Sequence, residues 1–418
     1  MINLEINKKK IINDPVFGFI SLQSELVFDL IEHPYFQRLR RIKQLGLSCL
    51  VFPGGNHTRF EHAIGATHLM RQAILVLQNK GHEITGEEAE AVTIAILLHD
   101  IGHGPFSHVL ESSLVDVSHE EVSLLLMEEL NKQFNGKISL AIRIFKNEYK
   151  KKFLYQLVTS QLDMDRLDYL GRDSFFTGVT EGLVGIERII KMLNVVDDNL
   201  VVEAKGIYSI ENFLIARRLM YWQVYLHKTV VSAEYMLVNI LGRARFLAMQ
   251  GEQLFGTAAL HAFLSHRFTI GDFRKNRRAG GRPVLGLFAS LDDNDILQAI
   301  KEWQLHNDKV LSFLSKSLVE RKLFRIQISE KPFPAGKVEK LRGGMQKHFG
   351  FSANEAGYCI INGVLSNSAY SKDSEKINIL QKDGTIMDIR DASDINLSVL
   401  TKIVRKYFLC FPKELDIN

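Results

Sequence analysis

The sequence predicts a mainly α-helical protein, a large all-α domain followed by a smaller α+β domain. Two observations carry this reading. From Glu25 to about Gln250, apolar residues recur at the three- and four-residue spacings of a helix face, as in Ala89 to Leu98, Val122 to Leu130 and Phe213 to Leu226. After about Lys322 the texture changes to short strand-like runs: Phe324-Arg325-Ile326-Gln327-Ile328, Tyr358-Cys359-Ile360-Ile361 and Ile377-Asn378-Ile379-Leu380. A chain of 418 residues is long enough for two or three such parts and a well-buried core.

The elements follow in order. Lys9-Lys10-Ile11-Ile12-Asn13-Asp14-Pro15 reads as a short strand ending in a turn. The helical stretch from Glu25 is broken at Pro53-Gly54-Gly55, at Gly102-His103-Gly104-Pro105 and between Gly178 and Gly185. Asp272 to Pro283 is basic, glycine-containing and poor in apolar residues, so it reads as an exposed loop. Helices resume from Asp292 to about Lys322, and Lys382-Asp383-Gly384 marks a turn between the later strands. The expected division is residues 1–270 for the helical domain with its short N-terminal strand. Residues 271–322 form a basic loop and helical connection, and 323–418 the small α+β domain.

Composition narrows the class. Apolar content of 46% and charged content of 24% are ordinary for a soluble globular protein. A net charge of +4 does not by itself imply a nucleic-acid partner, and a phosphate-binding pocket would leave a similar excess. Cys49, Cys359 and Cys410 are far apart and lack zinc spacing, so they read as reduced thiols in a cytoplasmic protein. No apolar run approaches the ~18 residues of a membrane span, and the N-terminus has no signal-peptide core, so no membrane partner is expected.

The chemistry concentrates early. Seven of the 14 histidines fall between His62 and His119. A lone histidine on an apolar helix is more often a core or surface residue than a ligand. Clustering changes that reading. His99-Asp100 closes an apolar helix, and adjacent helical residues point about 100° apart, so both reach one metal only near a helix end. Gly102 and Gly104 let the backbone turn away there. His103 follows four residues after His99, His108 follows Pro105, and His119 is fused to Glu120. Two imidazoles and two carboxylates suit a divalent cation, which can activate water and neutralise phosphate charge. Spacing does not choose among Asp163, Asp165 and Asp168, because such a run usually forms a solvated helix face. Arg38 to Arg41 and Lys43 likewise read as a solvated or interface face.

Two stretches carry a family resemblance. One is Gln37-Arg38-Leu39-Arg40-Arg41-Ile42-Lys43-Gln44-Leu45-Gly46, with Val51-Phe52-Pro53-Gly54 and His57-Thr58-Arg59-Phe60-Glu61-His62 behind it. The other is Leu98-His99-Asp100-Ile101-Gly102-His103-Gly104-Pro105-Phe106-Ser107-His108. With Asp163-Met164-Asp165-Arg166-Leu167-Asp168-Tyr169, this series resembles the HD-domain superfamily of metal-dependent phosphohydrolases. Within it, the series is similar to the deoxynucleoside-triphosphate triphosphohydrolases. The match runs from about Lys10 to Lys228, and the C-terminal third matches more weakly.

The resemblance implies one divalent ion per active site, held by His62, His99, Asp100 and Asp165. Its identity is left open among Mn, Fe, Ni, Zn and Mg. It implies that His103, His108, Glu111, His119 and Glu120 line the phosphate and reaction site, and that Gln44 and Leu45 contact the deoxyribose. Arg59 and Arg217 fall on phosphate-binding arginines. Arg166, Tyr169 and Asp173 fall on the helix that grips phosphate and sugar, and Tyr225 falls where a tyrosine packs on the sugar and helps reject a 2′-hydroxyl. The implied reaction converts a dNTP and water to a deoxynucleoside and triphosphate. His119 acts as general acid and Glu120 orients it. The implied assembly is a homodimer or homotetramer, and a nucleotide activator is an open further partner.

The chain departs from the family in places. Phe17-Gly18-Phe19-Ile20 lacks histidines often found there, Glu32 stands where an aspartate reads a guanine activator, and Tyr221 replaces a histidine. Two other readings stand beside the first. One is an HD nucleotidase or phosphodiesterase acting on another phosphate ester. The other is a non-catalytic nucleotide or nucleic-acid binding protein, with Arg274 to Arg282 as a candidate phosphate contact. The second is disfavoured because a binding module has no need of a full ligand set with His119-Glu120.

Overall fold

The computed structural model of the protein describes residues 10–22, 24–107, 109, 113–367, 370 and 376–415. His108 and Glu111 lie outside the described residues. The chain opens on a hairpin, Lys10–Asp14 paired antiparallel with Gly18–Leu22. The sequence reading has only its first strand. The turn between them is set by Gly18, at φ +71°, and by Asp14, whose carboxylate accepts from the Val16 and Phe17 amides.

Three helices form the centre. The first, Arg59–Asn79, starts with a capping box between Thr58 and Glu61 and is buried along most of its length. Gly86–Leu98 starts with a second capping box, Thr85 with Glu88, and is buried on every side from Ala91 to Leu98. Met164–Thr177 is capped by Asp163 and ends at Gly178, whose φ of +73° closes it. The helices His119–Gln133, Ser139–Phe145, Ile207–Met220 and Lys228–Met249 pack around this centre. Between the last two, Tyr221–Tyr225 forms a wide π turn. The apolar core is one continuous cluster from Ile20 to Leu415.

Strand structure is richer than the sequence reading. A hairpin, Leu193–Val196 with Asn199–Glu203, interrupts the helical stretch, and Asn378–Leu380 and Ile386–Asp388 extend it into a four-stranded sheet. The parallel pairing of Val202 with Ile379 stitches the C-terminal segment to the helical one. A second sheet has the order Arg325–Ser329, Val404–Phe411, Ile361–Asn367. Tyr358 to Ile360 are in a turn before this strand, because their apolar character comes from burial rather than pairing. Asp293–Trp303 and Lys309–Val319 supply the helices expected after Asp292. The basic segment is exposed as expected, but folds as a short helix, Ile270–Arg274, and a two-residue hairpin turned by Gly280 and Gly281. Among the described residues no helix is long and apolar enough to cross a membrane. All three cysteines are free.

Arg38 corrects the sequence reading: its side chain is 1% exposed, donating to the Ile101 and His103 carbonyls. Arg40 and Arg41 are exposed, as expected of a solvated face, with Arg40 stacked on Phe60 and Arg41 paired with Asp292.

Glu88 anchors the helix that ends at His99. Its carboxylate takes hydrogen bonds from Tyr149 Oη at 2.6 Å, Lys151 Nζ at 2.7 Å and the Thr85 amide at 2.9 Å. Burial pushes its pKa up, but these bonds outweigh burial and hold it down to about 2 from an ordinary 4.5. A carboxyl held low stabilises the fold above pH 4.5 and loses that contribution as pH falls towards 2. Glu88→Gln is expected to lower unfolding free energy at pH 7 by about 2 kcal/mol. In denaturant titrations the gap from wild type should narrow below pH 4.5, and a gap independent of pH would contradict this account.

Candidate metal centre

The ends of three helices bring together the four candidate ligands. His62 is in the first turn of Arg59–Asn79, His99 and Asp100 follow Gly86–Leu98 directly, and Asp165 is the second residue of Met164–Thr177. His62 Nε2 lies 3.2 Å from Asp165 Oδ1 and 3.7 Å from Asp100 Oδ2. His99 Nε2 lies 3.3 Å from Asp100 Oδ1 and 3.5 Å from Asp165 Oδ1. Ligand atoms of His62, His99 and Asp100 all fall within 4.8 Å of one another.

The opposite edge of each imidazole is fixed. His62 Nδ1 is 2.7 Å from Asp168 Oδ2, and His99 Nδ1 is 2.6 Å from the Ile96 carbonyl. A carboxylate and a carbonyl can only accept, so each Nδ1 carries the proton. In the neutral ring the lone pair of each Nε2 then faces the cluster. Among the described residues both Nε2 atoms are buried without a hydrogen-bond partner. Unsatisfied acceptors are costly in a protein interior, and two of them beside two carboxylates fit a divalent cation. The electrostatics agree. Burial pulls His62 down, but Asp165 and Asp168 outweigh it and raise its pKa to about 10. Burial pushes Asp165 up, while His62 and His99 pull it well below the usual carboxylate range. A proton and a metal therefore compete for this concentration of negative charge.

Asp168 and Arg172 are residues the sequence reading missed. Asp163 and Asp168 have no solvent exposure, which corrects the solvated-face reading of that run. Arg172 donates twice to Asp168, at 2.9 Å each, and once to Asp14 at 2.8 Å. A buried chain of charge thus runs from the N-terminal hairpin to His62. Gly65 makes room for it: a Cβ there would sit 2.0 Å from Asp168 Oδ1 and 2.1 Å from Arg172 Nη2. The i, i+4 spacing of Asp168 and Arg172 was the available signal.

The neighbouring candidates extend the site. Arg59 Nη1 is 2.5 Å from Asp100 Oδ2, while its Nε and Nη2 donate to Ser107 Oγ. Glu61 caps the helix start instead of pairing with Arg59. His103 Nε2 is 3.3 Å from Asp100 Oδ1, and its ring stacks on His119 at 3.8 Å. Burial, and then Arg59, push the His103 pKa down to about 3, so it is neutral. His119 Nε2 is 3.3 Å from Glu120, which reaches into solvent. Gly102 lies in the turn, as expected, and also permits close packing: a Cβ would meet the Ser123 amide at 2.2 Å. Ser123 Oγ accepts from the Gly102 amide and donates to the His99 carbonyl, locking the loop to the His119 helix.

On the other flank, Arg166 pairs with Asp163 at 2.5 Å and approaches Asp165 at 4.0 Å. Tyr225 donates to Asp173 Oδ2 at 2.7 Å, and His57 Nε2 lies 2.7 Å from Asp173 Oδ1. Tyr169, Tyr221 and Tyr225 meet edge to face. Arg217 bonds Gln161 and acts electrostatically on Tyr169. The Gln44 backbone amide bonds the His57 carbonyl, and its side-chain oxygen is buried without a partner among the described residues. Leu45, beside it, is buried.

Comparison with known proteins gives a consistent pattern. The HD domain model matches residues 59–173, and the HD associated region model matches 184–251. An uncharacterized Bacillus subtilis protein, YwfO, is 30% identical over 99% of this chain and 94% of its own length. The human deoxynucleoside triphosphate triphosphohydrolase SAMHD1 is 31% identical over 58% of this chain, but only 46% of that protein is spanned. A crystal structure of a phosphohydrolase from Bacteroides thetaiotaomicron is 55% identical, with a TM-score of 0.93 over 96% of this chain and 99% of that one.

Asp168→Asn leaves all four candidate ligands in place but weakens the hold on the His62 tautomer. It is expected to reduce Mn²⁺ affinity about 10- to 100-fold, the usual effect of losing an outer-shell partner. Calorimetric titration checks this, and unchanged affinity would refute the role given to Asp168.

Proposed function

The chain belongs to the HD-domain phosphohydrolase superfamily, and from that premise we propose that it hydrolyses deoxynucleoside triphosphates to a deoxynucleoside and inorganic triphosphate. The observation that carries the proposal is the pair of buried Nε2 atoms of His62 and His99, unpartnered among the described residues, beside Asp100 and Asp165, with Arg59 against the same cluster. A divalent cation held by these four residues would neutralise phosphate charge and make a water more acidic.

The chain's own residues do the rest. Arg59 and Arg166 flank the centre, each drawn to one of its carboxylates. A triphosphate carries several negative charges and gives both guanidiniums stronger partners. Arg217 continues the cationic wall past Tyr169. His119 donates the proton to the leaving oxygen, and the neighbouring Glu120 carboxylate, 3.3 Å from its Nε2, orients the ring. His57 and Tyr225 hold Asp173 from two sides, so the Tyr225 ring is fixed as a wall for the sugar. A rigid wall discriminates against an added 2′-hydroxyl by leaving it no room. The buried Gln44 oxygen remains an acceptor for a sugar hydroxyl. A set with three arginines and a sugar wall suits a nucleoside polyphosphate better than a phosphomonoester.

The test incubates Mn²⁺-loaded protein separately with dNTPs, NTPs, nucleoside monophosphates and cyclic nucleotides. Triphosphate and a deoxynucleoside are expected from at least one dNTP. Turnover of monophosphates or cyclic esters alone would contradict the reading. His119→Ala is expected to lower kcat by about 10²- to 10⁴-fold, the range for a lost general acid, with metal content unchanged. Full turnover by that variant would remove His119 from the mechanism.

A further inference from the structure

Asp293 opens the helix Asp293–Trp303, which lies outside both family-matched segments. It is 4% exposed. Its Oδ2 accepts from the Lys43 amide at 2.9 Å and its Oδ1 from the Phe106 amide at 3.1 Å. The helix does not need it as a cap. Asp292 is the N-cap, accepting from the Asn294 amide and sharing a capping box with Asp295. Nor is it a packing residue, because a buried carboxylate costs free energy that an apolar side chain would avoid. Burial pushes its pKa up to about 6 against the pull of the two amides and Lys43.

Both amides lead to Arg59. The Ile42 carbonyl, one residue before Lys43, accepts from the Arg59 amide at 2.9 Å. Ser107, one residue after Phe106, accepts from the Arg59 Nε and Nη2 groups at 3.2 and 2.8 Å. Phe106 and Ser107 have φ of +50° and +35°, a left-handed backbone that non-glycine residues rarely adopt. Such strain persists only where the surroundings over-determine it. Here Arg38 grips the same loop by its Ile101 and His103 carbonyls, and Asp293 grips it by the Phe106 amide.

We infer that Asp293 is a positioning residue for the phosphate end of the site, clamping the Ile42–Lys43 segment and the strained Phe106–Ser107 turn so that the Arg59 guanidinium is aimed at the reacting phosphate. The inference rests on the reading of Arg59 as a phosphate-binding group. It gives the helical segment after residue 271 a part in catalysis that neither its fold nor its family match assigns.

The test uses full-length Asp293→Asn and Asp293→Ala, the former keeping the shape should the latter fail to fold. Amide hydrogen exchange at Lys43, Phe106 and Ser107 is compared with wild type. Metal content is measured, and turnover is followed with an equimolar mixture of the four dNTPs and Mn²⁺. Exchange at Phe106 should accelerate at least about tenfold, and kcat should fall about 10- to 100-fold with metal content unchanged, as expected for a misaligned catalytic group. Asp293→Asn combined with Ser107→Ala should be no slower than the slower single variant, because both act through Arg59. Fully additive losses, or wild-type exchange at Phe106 in Asp293→Asn, would overturn the inference. Should wild-type protein release no triphosphate, the proposed function fails, and exchange at Phe106 still decides the clamp.

Discussion

Asp168 sits where the helices Arg59–Asn79 and Met164–Thr177 cross, with no exposure to solvent, and divides its two oxygens between His62 and Arg172. A carboxylate so placed is tolerable only because both oxygens are hydrogen-bonded and its charge is paired. Arg172, equally buried, passes the charge on to Asp14 at the end of the first strand. Removing one member of such a chain leaves an uncompensated buried charge, at a cost of about 3–5 kcal/mol. The N-terminal hairpin, the helix crossing and the orientation of His62 are therefore one structural unit. Gly65 is its steric condition, since a side chain there would occupy the space of the Asp168–Arg172 pair.

The site is built outward from this unit by helix ends. A helix end frees side chains from the lateral packing that fills the helix middle, so ligands from three helices converge while their stems stay in the core. The loop after His99-Asp100 is pinned from three directions. Ser123 bonds its Gly102 amide, Arg38 its carbonyls and Asp293 its Phe106 amide. On the far side, Asp173 is held between His57 and Tyr225. Rigid support of this kind suits a site that must present charge to a substrate without reorganising.

Much of this was legible in the residues. The long apolar periodicities gave the central helices, and the histidine cluster with His99-Asp100 pointed to a group of side chains that could hold a metal. What escaped was non-local. Asp168 looked like one more charge on a solvated helix, because its burial depends on a glycine a hundred residues earlier. Arg38 looked like part of a basic face, because the carbonyls it satisfies lie in a distant loop. The hairpin Leu193–Val196 with Asn199–Glu203 pairs locally but lay hidden within a helical stretch, and only its extension by Asn378–Leu380 is long-range. The strand Val404–Phe411, central in its sheet, was missed because it is apolar at its end rather than alternating throughout, as a strand buried on both faces is.

The central claim is that Asp168 and the Ile96 carbonyl fix the two imidazoles so that both Nε2 atoms face a cation shared with Asp100 and Asp165. Anomalous diffraction at the manganese edge, from crystals of the Mn²⁺-loaded protein, tests this directly. The account predicts an anomalous peak within coordination distance of His62 Nε2, His99 Nε2 and both carboxylates, with the His62 Nδ1 to Asp168 bond intact. A peak elsewhere, or His62 bound through Nδ1 with Asp168 displaced, would contradict it.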